Sequence, residues 1–261
     1  MSSLNEKNIL LLHPLGYQAE AAGRDISRKA NIMPPLGLAS IAAYLERAGF
    51  NCAILDCYAH PDADRHFRQL LREQRPALLG ISCTTASFHD AVRLTELAKS
   101  ELSELRVAFG GPHVSALKEK VLEFSPLIDY AVVGEGEQTM LELAQLAGAE
   151  PTDIGGLVWR ATDGSLVDNG YREEALVLDD LPFPAYEKLA GYPDVYKLPI
   201  FNYPKAPNSS CISSRGCPYS CSYCDRSVFR RTFRYPAHQL LRRSVHLPSR
   251  AGGAVLPNDD R

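Results

Sequence analysis

Apolar and polar positions along the first half of the chain alternate between two periods. Asn8-Ile-Leu-Leu-Leu-His13 is a short apolar run closed by Pro14, too short for a typical helix and suited to a strand buried on both faces. Residues 35–48 then carry apolar side chains at helical spacing, with proline at the start and Gly49 just past the end. The same alternation recurs. It predicts further strands at 52–56, 77–82, 105–110 and 128–133, and helices at 62–74, 88–102, 115–124 (weakly patterned) and 137–146. Five apolar strands separated by helices imply an α/β fold, a doubly wound parallel sheet covered on both faces, with right-handed crossovers.

In such folds ligands bind beyond the carboxyl ends of the strands. Those ends are His13-Pro14, Ser82-Cys83-Thr84-Thr85, Gly110-Gly111-Pro112-His113 and Gly134-Glu135-Gly136-Glu137. Small residues cluster there, and glycine lets the backbone approach a ligand closely or adopt positive φ. Tight turns are the other reading of the same residues. Glu135 and Glu137 are candidate ligand contacts, and Glu137 also suits the start of a helix electrostatically. No G-x-G-x-x-G follows the first strand, which argues against a nicotinamide dinucleotide.

Further along, residues 154–160 and 165–169 flank Ala161-Thr-Asp-Gly164, a hairpin signal. Six prolines from Pro182 to Pro207 predict an ordered wrap or linker rather than core. The division expected from these patterns is 1–148 for the α/β domain, 149–206 for a linker with a hairpin, and 207–261 for a third piece.

Composition narrows the class. The 261 residues are 45% hydrophobic and 23% charged, an ordinary globular balance, and the net charge of −3 gives no basic field for nucleic acid. No apolar run is long enough to span a bilayer, and the first residues lack a secretory pattern, so a cytoplasmic location is expected. Seven cysteines in that setting read as thiols or metal ligands. Cys52, Cys57 and Cys83 fall in or beside predicted strands and read as buried thiols.

Cys217, Cys221 and Cys224 stand together in Ser213-Ser-Arg-Gly-Cys-Pro-Tyr-Ser-Cys-Ser-Tyr-Cys224. Thiolates suit iron–sulfur clusters or zinc, and a structural zinc site wants four ligands, usually in C-x2-C pairs. Three thiolates from one loop suit a [4Fe–4S] cluster with one iron open. Zinc and unliganded thiols are the other readings. Cys211, in a strand-like run with Ile212, is a conceivable fourth ligand. Tyr223 is placed to pack on a ligand or to shield the loop.

With Tyr223 before the last cysteine, the motif C-x3-C-x-aromatic-C resembles the signature of the radical S-adenosylmethionine (SAM) superfamily. The preceding half is similar to the vitamin-B12-binding domain of its cobalamin-dependent branch, which includes anaerobic magnesium-protoporphyrin monomethyl ester cyclase and methyltransferases. Pro34-Pro-Leu-Gly37, Gly110-Gly-Pro-His113, Gly134-Glu-Gly-Glu137 and Leu181-Pro-Phe-Pro184 stand where that branch has them.

The resemblance, over roughly residues 6–235, implies a flavodoxin-like cobalamin-binding sheet and then the start of a partial (β/α)6 radical SAM barrel. It implies a [4Fe–4S] cluster on Cys217, Cys221 and Cys224, with SAM at the open iron and Tyr223 beside it. Cobalamin would lie on Ser82, Thr84, Gly110, Gly111 and Gly134. The Asp-x-His-x-x-Gly cobalt-ligating loop is absent; His13 and His113 are the nearest candidates to replace its histidine, and hydrogen-bonded turn residues are the favoured reading of both. Methyl transfer or oxidative cyclisation of a small molecule is the implied chemistry, with a flavodoxin or ferredoxin as electron donor.

Residues 225–261 leave room for little of that barrel, so a C-terminally truncated, inactive chain is expected. The tail begins with a helical pattern at 238–250, and its eight arginines against two acids in 226–261 read as a solvated segment. A non-catalytic corrinoid-binding module with a vestigial cluster loop and a zinc-stabilised interaction protein are the alternative functions.

Overall fold

The computed structural model describes residues 3–16, 32–60, 62–146, 149–173, 176–196, 210–224 and 228–229. The proline-rich stretch beyond Tyr196, up to Pro207, and the arginine-rich tail with its helical pattern lie outside the described residues.

Among the described residues, seven strands form one sheet. They are β1 (Asn5–His13), β2 (Asn51–Asp56), β3 (Pro76–Ser82), β4 (Arg106–Gly110), β5 (Tyr130–Val132), β6 (Leu157–Arg160) and β7 (Leu166–Asp168). Their order is β2-β1-β3-β4-β5-β6-β7. The first five pair in parallel, and β6 and β7 are antiparallel. The chain leaves β1 for one side of the sheet and returns on the other at β3, so the strand order reverses between them and opens a crevice at their carboxyl ends.

Both faces of the sheet are buried because neighbouring residues on each strand point opposite ways. Leu10 and Leu12 enter one core, Ile9 and Leu11 the other. The first core lies under α2 (Ala63–Gln74), α3 (Phe88–Glu101), α4 (Pro112–Leu117) and α5 (Glu119–Phe124). The second lies under α1 (Leu36–Arg47) and α6 (Glu137–Gln145), which pack against each other. α2 shows the principle plainly: Ala63, Phe67 and Leu71, at helical spacing, are its buried residues.

Three features differ from the sequence expectation. The helix expected over 115–124 is two short helices, broken at Lys118 with φ +49°. The break lets α4 start directly off β4 at Pro112 while α5 turns to cover β5, β6 and β7. Lys118 occupies its strained position with its ammonium 3.1 Å from Asp168 of β7 and over the Tyr171 ring.

The hairpin, with its expected Asp163-Gly164 turn, pairs β6 to β5 and so widens the sheet. The third difference is the segment after Leu181. α1 carries apolar residues round most of its surface, and the sheet covers only one side. Ala185, Leu189 and Tyr196 of the expected linker fill the other side and are buried in the second core. Ala185 N–H donates to the Ala39 carbonyl at 3.0 Å, and Lys188 pairs with Glu46.

Phe67 is fully buried. Phe67→Ala is expected to lower unfolding free energy by about 3–5 kcal/mol in urea titrations, whereas Val177→Ala, at an exposed site, changes it by less than about 0.5 kcal/mol.

Candidate cofactor site at the carboxyl edge of the sheet

Small side chains stand where β3 and β4 end. Ser82 is paired with Gly110, and two residues earlier, on the same face, Gly80 is paired with Ala108. Over this strip lies a cavity of about 160 Å3. Leu11, Gly80, Ala108 and Val132 floor it, Leu38 and Ile41 of α1 and Met140 of α6 wall it, and Ser82, Gly110, Gly111 and Gly134 rim it. The packing below leaves no slack. A Cβ at Gly80 would lie 2.8 Å from Leu11 Cδ2 and 3.0 Å from Met140 Cε.

The rim is held by backbone. Cys83 N–H donates to the Gly110 carbonyl at 2.9 Å. Gly111 follows with φ +98°, and a Cβ there would sit 2.6 Å from the Cys83 carbonyl oxygen. Only glycine combines that φ with that approach. Gly134 N–H donates to Ser115 Oγ at 3.0 Å, which ties the next strand end to α4.

At the mouth of the cavity sit two carboxylates and a guanidinium. Glu137 opens α6, where the helix N-terminus favours a negative charge. Arg215 donates to Glu137 Oε1 at 2.6 Å and to Glu135 Oε1 at 2.8 Å. Arg215 is only 8% exposed and the Glu137 side chain 4%. Burial opposes the guanidinium's charge, but the Glu137 and Glu135 carboxylates outweigh it and hold the pKa above its ordinary value. Sequence reasoning left Arg215 without a role and divided Glu135 and Glu137 between ligand contact and helix start. A lone arginine among small residues, matched in charge to a two-glutamate turn, is the signal that points to the pairing.

Beyond Arg215 the chain turns outward at Gly216, φ +86°, and Cys217, Cys221 and Cys224 all lie exposed. Cys224 N–H donates to the Cys221 carbonyl at 3.3 Å, and none of the seven cysteines is in a disulfide. The donor set fits a thiolate-held cluster in kind: three accessible thiols on one loop. Among the described residues no group of three His, Cys, Asp or Glu side chains converges to hold a metal ion. Cys211 and Ile212, expected as strand-like, are exposed and form no strand. The small residues at the strand ends leave the backbone of Gly110, Gly111 and Gly134 open at the cavity rim, a surface of the kind a bulky cofactor needs.

The other residues singled out from sequence lie apart. Thr84 is not among the cavity-lining residues; its N–H donates to Ser87 Oγ in the following turn. Tyr223 is 90% exposed. His13 Nδ1 is 3.0 Å from Asp56 Oδ1, and His113 Nδ1 is 3.1 Å from Thr85 Oγ1, and neither histidine lines the cavity. Cys52, Cys57 and Cys83 are buried. Burial pushes the thiols of Cys52 and Cys83 up to about 12.

The B12 binding domain family matches residues 26–144, a span that takes in α1, β2 to β5, Gly80, Ala108 and Val132 of the cavity floor and the Gly134–Glu137 turn. The chain carries a match to the B12 binding domain, and the relatives it resembles include cobalamin-dependent radical SAM enzymes. An uncharacterized methyltransferase of Pyrococcus horikoshii is 32% identical over 197 residues, 75% of this chain and 41% of the relative. The anaerobic magnesium-protoporphyrin IX monomethyl ester cyclase of Rubrivivax gelatinosus is 28% identical over 238 residues, 87% of this chain and 40% of the relative. The chain thus spans well under half the length of these relatives. In fold, the chain is similar to OxsB, a cobalamin-dependent S-adenosylmethionine radical enzyme solved with aqua-cobalamin and S-adenosylmethionine bound. The TM-score is 0.69 at 18% identity, covering 88% of this chain and 30% of that one. Among the described residues no helix is long and apolar enough to cross a membrane.

Two expectations follow. Gly111→Ala is predicted to cost more than about 1 kcal/mol of unfolding free energy, read by urea titration, because the residue needs positive φ. The buried thiols set a pH dependence. Cys52 and Cys83 lose their protons near the ordinary value of 9.0 when unfolded and only near 12 when folded. The unfolded chain therefore binds fewer protons between those pH values, and stability falls as pH rises through that window. Cys52→Ala/Cys83→Ala is predicted to flatten that fall, measured as unfolding free energy against pH.

Proposed function

We propose that this chain brings together the two cofactors of a cobalamin-dependent radical SAM protein, for methyl transfer or oxidative cyclisation of a small molecule. The observation that carries this reading is the attachment of the C-x3-C-x-aromatic-C loop, through Arg215, to the mouth of the strand-end cavity. Cys217, Cys221 and Cys224 would hold a [4Fe–4S] cluster, and three thiolates rather than four would leave it able to bind SAM. When bound, the cluster supplies the electron for reductive cleavage of SAM and the corrinoid supplies a methyl-carrying or redox-active metal.

The chain's own residues do the positioning. Gly110, Gly111 and Gly134 let the corrinoid approach the backbone, and Ser82 offers a hydroxyl at the rim. Leu38, Ile41 and Met140 keep the floor dry. Arg215 and its two carboxylates fix where the loop leaves the rim. Tyr219 and Tyr223, 70% and 90% exposed on the cluster loop, give a surface for further protein or for the flavodoxin or ferredoxin that delivers the electron. Of the described histidines, His13 and His113 are engaged with Asp56 and Thr85 and do not line the cavity.

Oxygen-free reconstitution with iron, sulfide and hydroxocobalamin tests the reading. The chain is expected to take up about four irons and one corrinoid. Cys217→Ala, Cys221→Ala and Cys224→Ala each abolish the iron–sulfur chromophore, while Cys52→Ala retains it. Zinc as the bound metal with no cluster formed, or a cluster that survives loss of all three loop cysteines, overturns it.

A further inference from the structure

The geometry points to Arg215 as a positioning residue: a tether that docks the root of the cysteine loop onto the cavity mouth and sets where the three thiols stand relative to the strand ends. The observations concern the chain alone. Arg215 is the last buried residue before the exposed cysteine loop, and its hydrogen-bonded partners are Glu135, in the turn between β5 and α6, and Glu137, the first residue of α6. One guanidinium spans two carboxylates, which fixes its orientation as well as its position. A second tether lies just upstream, where Tyr186 hydroxyl donates to the Ser210 carbonyl at 2.6 Å. Between the two tethers Ile212 is laid against the cavity. Past Gly216 the chain runs out into solvent.

Arg215 fixes the root of the loop, and beyond the loop Val228 and Phe229 line the same cavity. The Arg215 contact joins the same turn, Gly134–Glu137, that lines the cavity, so a ligand seated there and the loop share one structural support. That the tether serves two cofactors rests on the function proposed above; the tether itself does not.

Arg215→Met alone strands two carboxylates, one of them buried, and threatens the fold. The test is the triple variant Arg215→Met/Glu135→Gln/Glu137→Gln, which removes the charges together, with Glu135→Gln alone as a milder companion that keeps the other arm. Hydrogen exchange is measured on the full chain without cofactors. Amides at 211–216 are expected to exchange about tenfold faster or more in the triple variant, and by a smaller factor in Glu135→Gln, with β1 to β5 unchanged. Equal exchange at 211–216 in the wild-type and both variants overturns the tether.

Reconstitution supplies the readout that a merely structural role would not move. At equal iron content the triple variant is expected to surrender iron to a chelator faster than the wild type and to give a reduced-cluster EPR line shape that differs from it. Identical chelation rates and spectra overturn the positioning role. A wild-type chain that takes up no cluster overturns the cofactor reading instead, and the exchange result still decides the tether.

Discussion

A parallel sheet buried on both faces leaves its carboxyl edge as the place where backbone can meet a ligand, and this constraint organises the molecule. Leu10 and Leu12 on one side and Ile9 and Leu11 on the other commit the centre of β1 to packing on both faces. The same holds for β3 and β4 until their last residues. There the side chains shrink to Gly80, Ser82, Ala108 and Gly110, and the space they give up is the cavity. Gly111 then closes the rim at a distance that no side chain permits. The site is thus made by withholding side chains from an otherwise filled core.

The charges at the cavity mouth add direction. Two carboxylates and one guanidinium taken out of water lose hydration, so their pairing is weak evidence for stability. Its value lies in specificity. Glu137 is placed by the start of α6, Glu135 by the turn before it, and Arg215 satisfies both with one planar group. A misdocked loop would leave those groups buried and unpaired. The arrangement therefore selects one position for the chain that carries Cys217, Cys221 and Cys224.

Much of this was legible in the sequence because it rests on local pattern. The five parallel strands follow from short apolar runs, the hairpin from Asp163-Gly164, and the rim from what stands at each strand end. The cysteine loop is marked by spacing alone. What was not legible depends on distant partners. The break at Lys118 answers to Asp168 and Tyr171 on the far hairpin. The burial of Ala185, Leu189 and Tyr196 answers to the second apolar side of α1. Arg215 is unremarkable in its own stretch and acquires a role only from carboxylates 78 and 80 residues away. Thr84 and Tyr223, placed near a ligand by sequence position, lie in a neighbouring turn and in solvent because position along a loop does not fix direction.

The central claim is that the cysteine loop and the strand-end cavity form one site. Pulsed EPR on the chain loaded with both a reduced cluster and cob(II)alamin tests it most directly, since two unpaired spins held close together split or broaden each other's signals. The account predicts a resolved dipolar interaction between the two. Two superimposed, non-interacting spectra at full occupancy of both cofactors would contradict it.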